Sequence, residues 1–135
     1  MKRNMLYIMH VPWKWAKQRP HFIAENLGRY FNIKVCCPAP FKKTNLSVIS
    51  VKRADFPILE FRLLPFCGHS RLLKKINVNF VKLQLKRKNL LNEDKIIWLT
   101  HPSLFKLIKE ECCKMIVYDC MDDALAFPST VNDKR

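Results

Sequence analysis

Five short apolar runs recur along this chain, and they constrain its fold more than any other feature. They lie at residues 5–9, 33–37, 58–64, 96–100 and 115–118. Continuous apolar runs of this length are typical of strands that are buried on both faces of a parallel sheet. Helical patterns separate the runs, so the sequence predicts an α/β fold with right-handed crossovers between about five parallel strands.

Two of the predicted helices have clear starting points. The first begins near Pro20, which suits the first turn of a helix, and its apolar stripe extends from Phe22 to Phe31. Another is predicted from Ser103, as its N-cap, to about residue 111. A small extra strand is predicted at residues 48–51. No interior linker divides the chain, so residues 1–128 are predicted to form one domain, followed by a polar tail at residues 129–135.

A long basic helical pattern covers about residues 70–91. We expect its apolar stripe to pack on the sheet, and a break near Val78 is left open; the stripe consists of Leu73, Ile76, Phe80, Leu83 and Leu90. The chain has 25 Lys and Arg against 11 Asp and Glu, and this net charge of +14 favours anionic partners. The helix could contact an anionic membrane, contact nucleic acid phosphates, or form the solvated face of an ordinary crossover.

Glycine and cysteine usage excludes several kinds of site. The 2 glycines, Gly28 and Gly68, cannot build a dinucleotide-binding fingerprint or a P-loop. The 6 cysteines include no C-x-x-C spacing, so no zinc site is predicted. We expect them to be small buried hydrophobic residues in a reducing cytosol. No secretory signal or transmembrane run is visible, so cytoplasmic localisation is expected, and no cofactor is predicted.

The loop after the first apolar run is the richest in side chains that bind ligands. It contains His10, Trp13, Trp15, Gln18 and Arg19. Aromatic faces can stack on sugar rings or bases, and Gln and Arg side chains donate hydrogen bonds to hydroxyls or phosphates. Ligands of open α/β sheets bind where loops leave the carboxyl ends of strands. We therefore predict that these side chains bind substrate; alternatively, the tryptophans only close the end of the sheet.

Two further loops leave the same predicted edge of the sheet. His101 follows the fourth apolar run, and Asp119, Asp122 and Asp123 follow the fifth. His101 and Asp119 are candidate catalytic residues, because imidazole titrates near neutral pH and a carboxylate can hold hydroxyls or act as a base. Asp122 and Asp123 are candidate substrate ligands; two adjacent carboxylates without a third ligand predict no metal site. The alternatives are a loop-ordering role for His101 and a helix cap at Asp119.

Three stretches of the chain carry a family resemblance. They are HVPWKWAKQRPHF at residues 10–22, WLTHP at residues 98–102 and YDCMDD at residues 118–123. Together they resemble the amino-terminal domain of two-domain (GT-B type) bacterial glycosyltransferases that build cell-surface polysaccharides, of the teichuronic-acid type. The resemblance covers nearly the whole chain and implies that its parallel sheet is Rossmann-like.

The resemblance also implies that two domains of such an enzyme have separate roles. The amino-terminal domain receives the acceptor, and a carboxy-terminal domain holds the nucleotide-sugar donor, without a bound metal. By this analogy His101 lies near the transferred sugar, and the loop of Trp13 and Trp15 lies near the acceptor. The donor-binding residues of such a second domain are absent from the sequence. We therefore expect little turnover by this chain alone, and a partner chain could supply the donor domain.

The sequence thus predicts the acceptor-side half of a glycosyltransferase. The expected reaction transfers a hexose from a nucleotide sugar to a cell-surface glycan or lipid-linked acceptor, with peripheral contact at the inner membrane face. The alternative is a non-enzymatic basic α/β module that binds nucleic acid or an anionic membrane. Nucleic acid is the less expected partner, because no helix-turn-helix, zinc-finger or aromatic RNA-binding signature appears.

Overall fold

The structure, a computed structural model, describes residues 1–39, 55–64, 70–91, 95–109, 111 and 113–120. In chain order, the elements in these ranges are β1 (Asn4–Ile8), α1 (Arg19–Tyr30), β2 (Asn32–Pro38), β3 (Ile58–Phe61), α2 (Arg71–Arg87), β4 (Ile96–Leu99), a 3₁₀ helix (Pro102–Leu107) and β5 (Met115–Tyr118). All strand pairs are parallel, and the strand order is β3-β2-β1-β4-β5. The predicted α/β class, with a Rossmann-like parallel sheet of five strands flanked by helices, is confirmed.

Strand β1 lies at the centre of the sheet and is covered on both faces. Leu6 and Ile8 belong to the core on the side of α2, whereas Met5 and Tyr7 belong to the core on the side of α1. Because successive side chains of a strand point to opposite faces, a strand buried on both sides must be apolar at every position. This requirement explains why the run at residues 5–9 shows no alternation.

Helix α1 begins at Arg19, with Pro20 in its first turn, as the sequence predicts. It packs on the sheet through the fully buried Ala24. One turn later a side chain would meet an obstacle, since a Cβ atom built on Gly28 would lie 3.0 Å from the ring of Phe56. Close approach of this ring, rather than an unusual backbone angle, favours glycine at that position.

Helix α2 packs on the core through a different stripe from the predicted one. Val81 and Leu85 are buried, and Val78 packs partly against them in an unbroken helix. The predicted stripe is wrong for Leu73, Ile76 and Leu83, which are exposed. Phe80 is half-buried, and Leu90, which lies beyond the end of the helix, is buried. Two apolar stripes lie on roughly opposite sides of this helix, so apolar periodicity could not decide which one faces the sheet.

Hydrogen bonds to the segment after β3 fix the rotation of α2. The backbone N–H of Leu64 donates to Asn77 Oδ1 at 2.9 Å. The N–H of Arg62 donates to Gln84 Oε1 at 2.9 Å, and Gln84 Nε2 donates back to the Arg62 carbonyl at 2.9 Å. Asn77 and Gln84 lie two turns apart on one side of the helix, so they hold that side against the segment. These polar residues decide which apolar stripe is buried.

The predicted helix from Ser103 to about residue 111 is wrong in its start and its length. The 3₁₀ helix ends at Leu107, and its N-cap is His101, whose Nδ1 accepts a hydrogen bond from Ser103 N at 3.2 Å. A histidine imidazole therefore performs the capping that the sequence assigned to the hydroxyl of Ser103. Leu104 and Leu107 complete the core on the α2 side of the sheet.

The cysteine prediction holds for part of the described chain. Cys36 and Cys37 are buried in β2, and burial raises the pKa of Cys36 to about 12 and that of Cys37 to about 11. Cys120 is exposed, contrary to the expectation of a buried thiol. The predicted strand at residues 48–51 and the predicted tail at residues 129–135 lie outside the described residues. Neither described α-helix has the length and apolar composition needed to cross a bilayer.

Candidate functional site

The candidate site lies at the carboxyl edge of the sheet, between β1 and β4. From β1 the chain proceeds outward to β2 and β3, then crosses back to β4 and continues to β5 on the other side. The loops after β1 and β4 therefore diverge, and such a reversal of strand order opens a crevice at the carboxyl ends. His10 follows β1 and His101 follows β4, so both predicted residues flank this crevice.

His10 and Thr100 are hydrogen-bonded to each other at the crevice between the two strands, and the ring of His101 contacts that of His10. The backbone N–H of His10 donates to Thr100 Oγ1 at 3.1 Å, and His10 Nδ1 lies 2.8 Å from the same oxygen. The rings of His10 and His101 are 5.3 Å apart between centroids and inclined by 39°. Thr100 is buried and joins the two loops, a role that the sequence did not assign to it.

The hydrogen bonds of His101 define its protonation state. Its Nδ1 accepts from the backbone N–H of Ser103 and lies 2.7 Å from the Ser103 hydroxyl oxygen. Since a backbone N–H can only donate, Nδ1 carries the lone pair and the neutral ring is protonated at Nε2. Burial also lowers the pKa of His101 below its ordinary value of 6.5. At neutral pH His101 is therefore a hydrogen-bond donor through Nε2.

Arg19 and Asp119 form an ion pair across the same edge, although they lie 100 residues apart in sequence. Arg19 Nη2 donates to Asp119 Oδ1 at 2.8 Å, with Arg19 56% exposed and Asp119 only 9% exposed. Among the described residues, no group donates to the buried Asp119 Oδ2. Because buried carboxylate oxygens are ordinarily satisfied, Oδ2 is an exception among the polar atoms of this edge.

Tyr7 and Trp98 form a stacked aromatic pair near Arg19 and Asp119. The sequence did not predict this aromatic pair. They lie on neighbouring strands, with ring centroids 6.2 Å apart in a stacked arrangement. The Tyr7 hydroxyl donates to the Pro20 carbonyl at 3.0 Å. Burial, and next the charge of Asp119, raise the pKa of Tyr7 above its ordinary value, so its hydroxyl stays neutral. The signal in the sequence was a polar aromatic residue within an otherwise aliphatic strand.

The two tryptophans of the loop after β1 have different surroundings. Trp13 is buried, and its ring packs 4.9 Å from His21 and 5.6 Å from Phe56 between centroids. Trp15 is 57% exposed. Trp13 therefore matches the alternative of an aromatic residue that closes the end of the sheet, whereas the ring of Trp15 can contact a ligand.

His21 orders this loop from the first turn of α1. Its Nδ1 accepts from the backbone N–H of Gln18 at 3.1 Å, and its Nε2 lies 3.2 Å from the Trp13 carbonyl oxygen. Because Nδ1 faces an N–H donor and Nε2 faces a carbonyl acceptor, the His21 ring is in the tautomer that carries its proton on Nε2. Gln18 is the N-cap of α1 and lies at the end of this loop. A histidine in the first turn of the predicted helix was the sequence signal for this role.

The structure brings most of the predicted site residues to one edge. His10, His101, Arg19 and Asp119 meet there, and Trp15 and Gln18 lie on the loop above it, whereas Asp122 and Asp123 lie outside the described residues. Within the described ranges, no group of three His, Cys, Asp or Glu side chains is close enough to hold a metal ion. The edge thus offers a neutral imidazole donor, a carboxylate acceptor and an exposed indole, which suits a hydroxyl-rich ligand.

The fold and this edge define a Rossmann-like α/β protein with a crevice at the reversal of its strand order. Comparisons with protein-family models, with curated proteins and with solved structures found no match to this chain. The resemblance to glycosyltransferases of the teichuronic-acid type therefore remains a prediction from the residues quoted above.

Proposed function

We propose that this chain is the acceptor-side domain of a glycosyltransferase that transfers a hexose from a nucleotide sugar to a glycan or lipid-linked acceptor. The observation that carries the proposal is the His10–His101 pair at the crevice between β1 and β4, with the rings 5.3 Å apart. The Arg19–Asp119 pair at the same edge adds a carboxylate. The three sequence stretches of the resemblance contribute all of these residues.

The geometry supports a distinct role for each side chain. In the transfer, the acceptor hydroxyl oxygen bonds to the anomeric carbon, the nucleoside diphosphate leaves, and the hydroxyl proton needs an acceptor. Asp119, the carboxylate of this edge, is that acceptor. His101 donates through Nε2 to a sugar oxygen rather than removing a proton, because Nδ1 is occupied by Ser103. Trp15 offers its exposed ring to the sugar face.

Free thiols support a location in the cytoplasm for this activity. Cys36 and Cys37, both buried in β2, are free thiols. Such thiols persist in a reducing compartment. The proposed enzyme therefore works on the cytoplasmic side, and its contact with the membrane is taken up below.

Binding, rather than turnover, tests the proposal, because the resemblance assigns the donor site to a second domain. The full chain is titrated calorimetrically with methyl hexosides and methyl N-acetylhexosaminides. We expect saturable binding of at least one glycoside with Kd on the order of 1 mM, weakened about tenfold in Asp119→Asn and in His101→Phe. Glu25→Gln is the matched control, since Glu25 is an exposed acid paired with Lys17 on α1.

Two results would count against the proposal. One is the absence of saturable binding for every glycoside in the panel. The other is binding that Asp119→Asn and His101→Phe leave as tight as the Glu25→Gln control does. Either result would remove the carboxyl edge as a sugar site.

A further inference from the structure

Helix α2 carries an apolar ridge on its outer side. The ridge consists of Leu72, Leu73, Ile76 and Leu83, which are 67%, 37%, 43% and 47% exposed. At about 100° per residue, Leu72, Ile76 and Leu83 lie on the side of the helix opposite Val81 and Leu85, which face the core, and Leu73 lies beside Ile76. Isolated exposed apolar residues are common, but four on the outer side of one helix, three of them within its first two turns, mark a contact surface.

The same helix is strongly basic. Its 17 residues, RLLKKINVNFVKLQLKR, include four lysines and two arginines and no acidic residue. In the part of the chain that the structure describes, Glu111 pairs with this helix from outside: its Oε1 lies 3.1 Å from Lys82 Nζ and 2.9 Å from Lys86 Nζ. Arg71, Lys75 and Arg87 are exposed. The outer side of α2 therefore combines an apolar ridge with an excess of positive charge.

We propose that the outer ridge of α2 docks this protein on the surface of an anionic lipid bilayer. Leucine and isoleucine side chains insert between acyl chains, while the flanking lysines and arginines contact anionic headgroups. A second copy of the chain fits the surface poorly, because both copies carry a net charge of +14. Nucleic acid fits it poorly as well, because phosphate contacts give an aliphatic ridge no role. The sequence predicted that Leu73, Ile76 and Leu83 pack on the sheet, so only the structure reveals this combination.

The direction of α2 relates the ridge to the carboxyl edge. Leu64, beyond the carboxyl end of β3, contacts Asn77 near the start of the helix. Lys95, directly before β4, donates to the carbonyls of Asn89 and Leu90 beyond its end. The first turns of α2, with Leu72 and Ile76, therefore lie toward the carboxyl edge. A domain docked through α2 keeps that edge near the headgroups, although the docking itself does not depend on glycosyl transfer.

Co-sedimentation of the full chain with lipid vesicles tests the docking. We expect binding to vesicles with about one third phosphatidylglycerol and little binding to phosphatidylcholine alone. The double variant Leu72→Ser with Ile76→Ser should bind the anionic vesicles about tenfold more weakly, and Leu83→Ser should weaken binding in the same direction. The matched control is Phe22→Ser with Tyr30→Ser, which removes two exposed apolar residues from α1 and should stay within about twofold of the unaltered chain.

Three results would overturn the docking. The first is no binding of the unaltered chain to the anionic vesicles. The second is an equal loss for the ridge and the α1 double variants, which would indicate a general effect of exposed apolar area. The third is tighter binding to duplex DNA that the ridge variants leave unchanged, which would assign the basic face of α2 to nucleic acid. Far-UV circular dichroism of each variant verifies that the helix is retained.

Discussion

His10 and His101 lie at the carboxyl ends of two neighbouring strands, with their ring centroids 5.3 Å apart, and Thr100 Oγ1 lies 2.8 Å from His10 Nδ1. The strand order reverses between these strands, so the two imidazoles line the crevice in which Rossmann-like sheets hold their ligands. His101 is kept neutral and protonated at Nε2, because its Nδ1 caps the 3₁₀ helix. The pair therefore defines a polar site that donates hydrogen bonds without carrying charge on His101 at neutral pH.

The protonation state of His101 is open to direct measurement. Long-range ¹H–¹⁵N spectra at neutral pH should show His101 as the Nε2–H tautomer, with a titration midpoint below its ordinary value of 6.5. The signal is assigned by its absence from His101→Asn. A midpoint at or above that of an unfolded peptide, or the Nδ1–H tautomer, would contradict the capping arrangement.

The lowered pKa of His101 also predicts how the stability of the fold depends on pH. Burial places the folded-state pKa of His101 below the unfolded-state value, so the unfolded chain binds the proton first as pH falls. The contribution of His101 to stability is therefore fully present above its unfolded-state pKa, and it is lost as pH falls through its folded-state pKa. Urea unfolding between about pH 7.5 and about pH 5 should show a steeper loss for the unaltered chain than for His101→Asn. Equal slopes would rule out this contribution.

The Arg19–Asp119 pair should stabilise the fold more than an exposed pair does. Arg19→Gln leaves the 9%-exposed carboxylate of Asp119 without its donor, which should lower the free energy of unfolding by about 1–2 kcal/mol. Adding Asp119→Asn should restore part of that loss, because the uncompensated charge is removed. Lys17→Gln is the control, since its pair with Glu25 is exposed on both sides and should change stability by less than about 0.5 kcal/mol. Equal effects of Arg19→Gln and Lys17→Gln would contradict the structure at this edge.

The orientation of α2 can be tested with two leucines two residues apart. Leu85 is buried, and Leu85→Ala should lower the free energy of unfolding by about 2–4 kcal/mol in denaturant titrations. Leu83 is 47% exposed, and Leu83→Ala should change it by less than about 0.5 kcal/mol. The stripe predicted from the sequence requires the opposite order, so the comparison decides between the two orientations.

The sequence predicted structure correctly where the same requirement, such as apolar character, applies to every residue of a segment. The run at residues 5–9 predicts β1 because a strand covered on both faces must be apolar throughout. The run at residues 115–118 also forms a strand, β5, but the burial expected of it is wrong, because β5 is a largely exposed edge strand. The prediction failed on α2, where two apolar stripes compete and the choice depends on hydrogen bonds from Asn77 and Gln84 to a distant segment. Long-range contacts of that kind leave no periodicity in the sequence.

The site was predictable in its location but not in its internal partners. The rule that loops meet at the carboxyl edge of a parallel sheet predicts that His10 and His101 lie at the same edge. The ion pair of Arg19 with Asp119 spans 100 residues, and the cap formed by His101 replaces a serine cap that the local sequence favours equally well. Such pairings depend on the rotation of side chains within the fold, which spacing alone does not determine.

Glu111 should link stability to acid conditions. Hydrogen bonding from Lys86, followed by that from Lys82, lowers the pKa of Glu111 below its ordinary value of 4.5, although partial burial opposes this. Its contribution is therefore present above the unfolded pKa and lost as pH falls through the lower folded pKa. Glu111→Gln should flatten the loss of stability between about pH 6 and about pH 3, whereas Glu25→Gln should follow the unaltered chain more closely. An unchanged slope in Glu111→Gln would show that the bridge to α2 contributes nothing.

The most direct test of the sugar site follows the imidazole ¹H–¹³C signals of His10 and His101 while a methyl glycoside that binds in calorimetry is added to the full chain. Both signals should move along one common saturation curve, and the exposed Trp15 indole should move with them, while Asp119→Asn shifts the curve to about tenfold higher concentration. Movement confined to residues away from the crevice between β1 and β4, with both imidazole signals unchanged at saturation, would contradict the account.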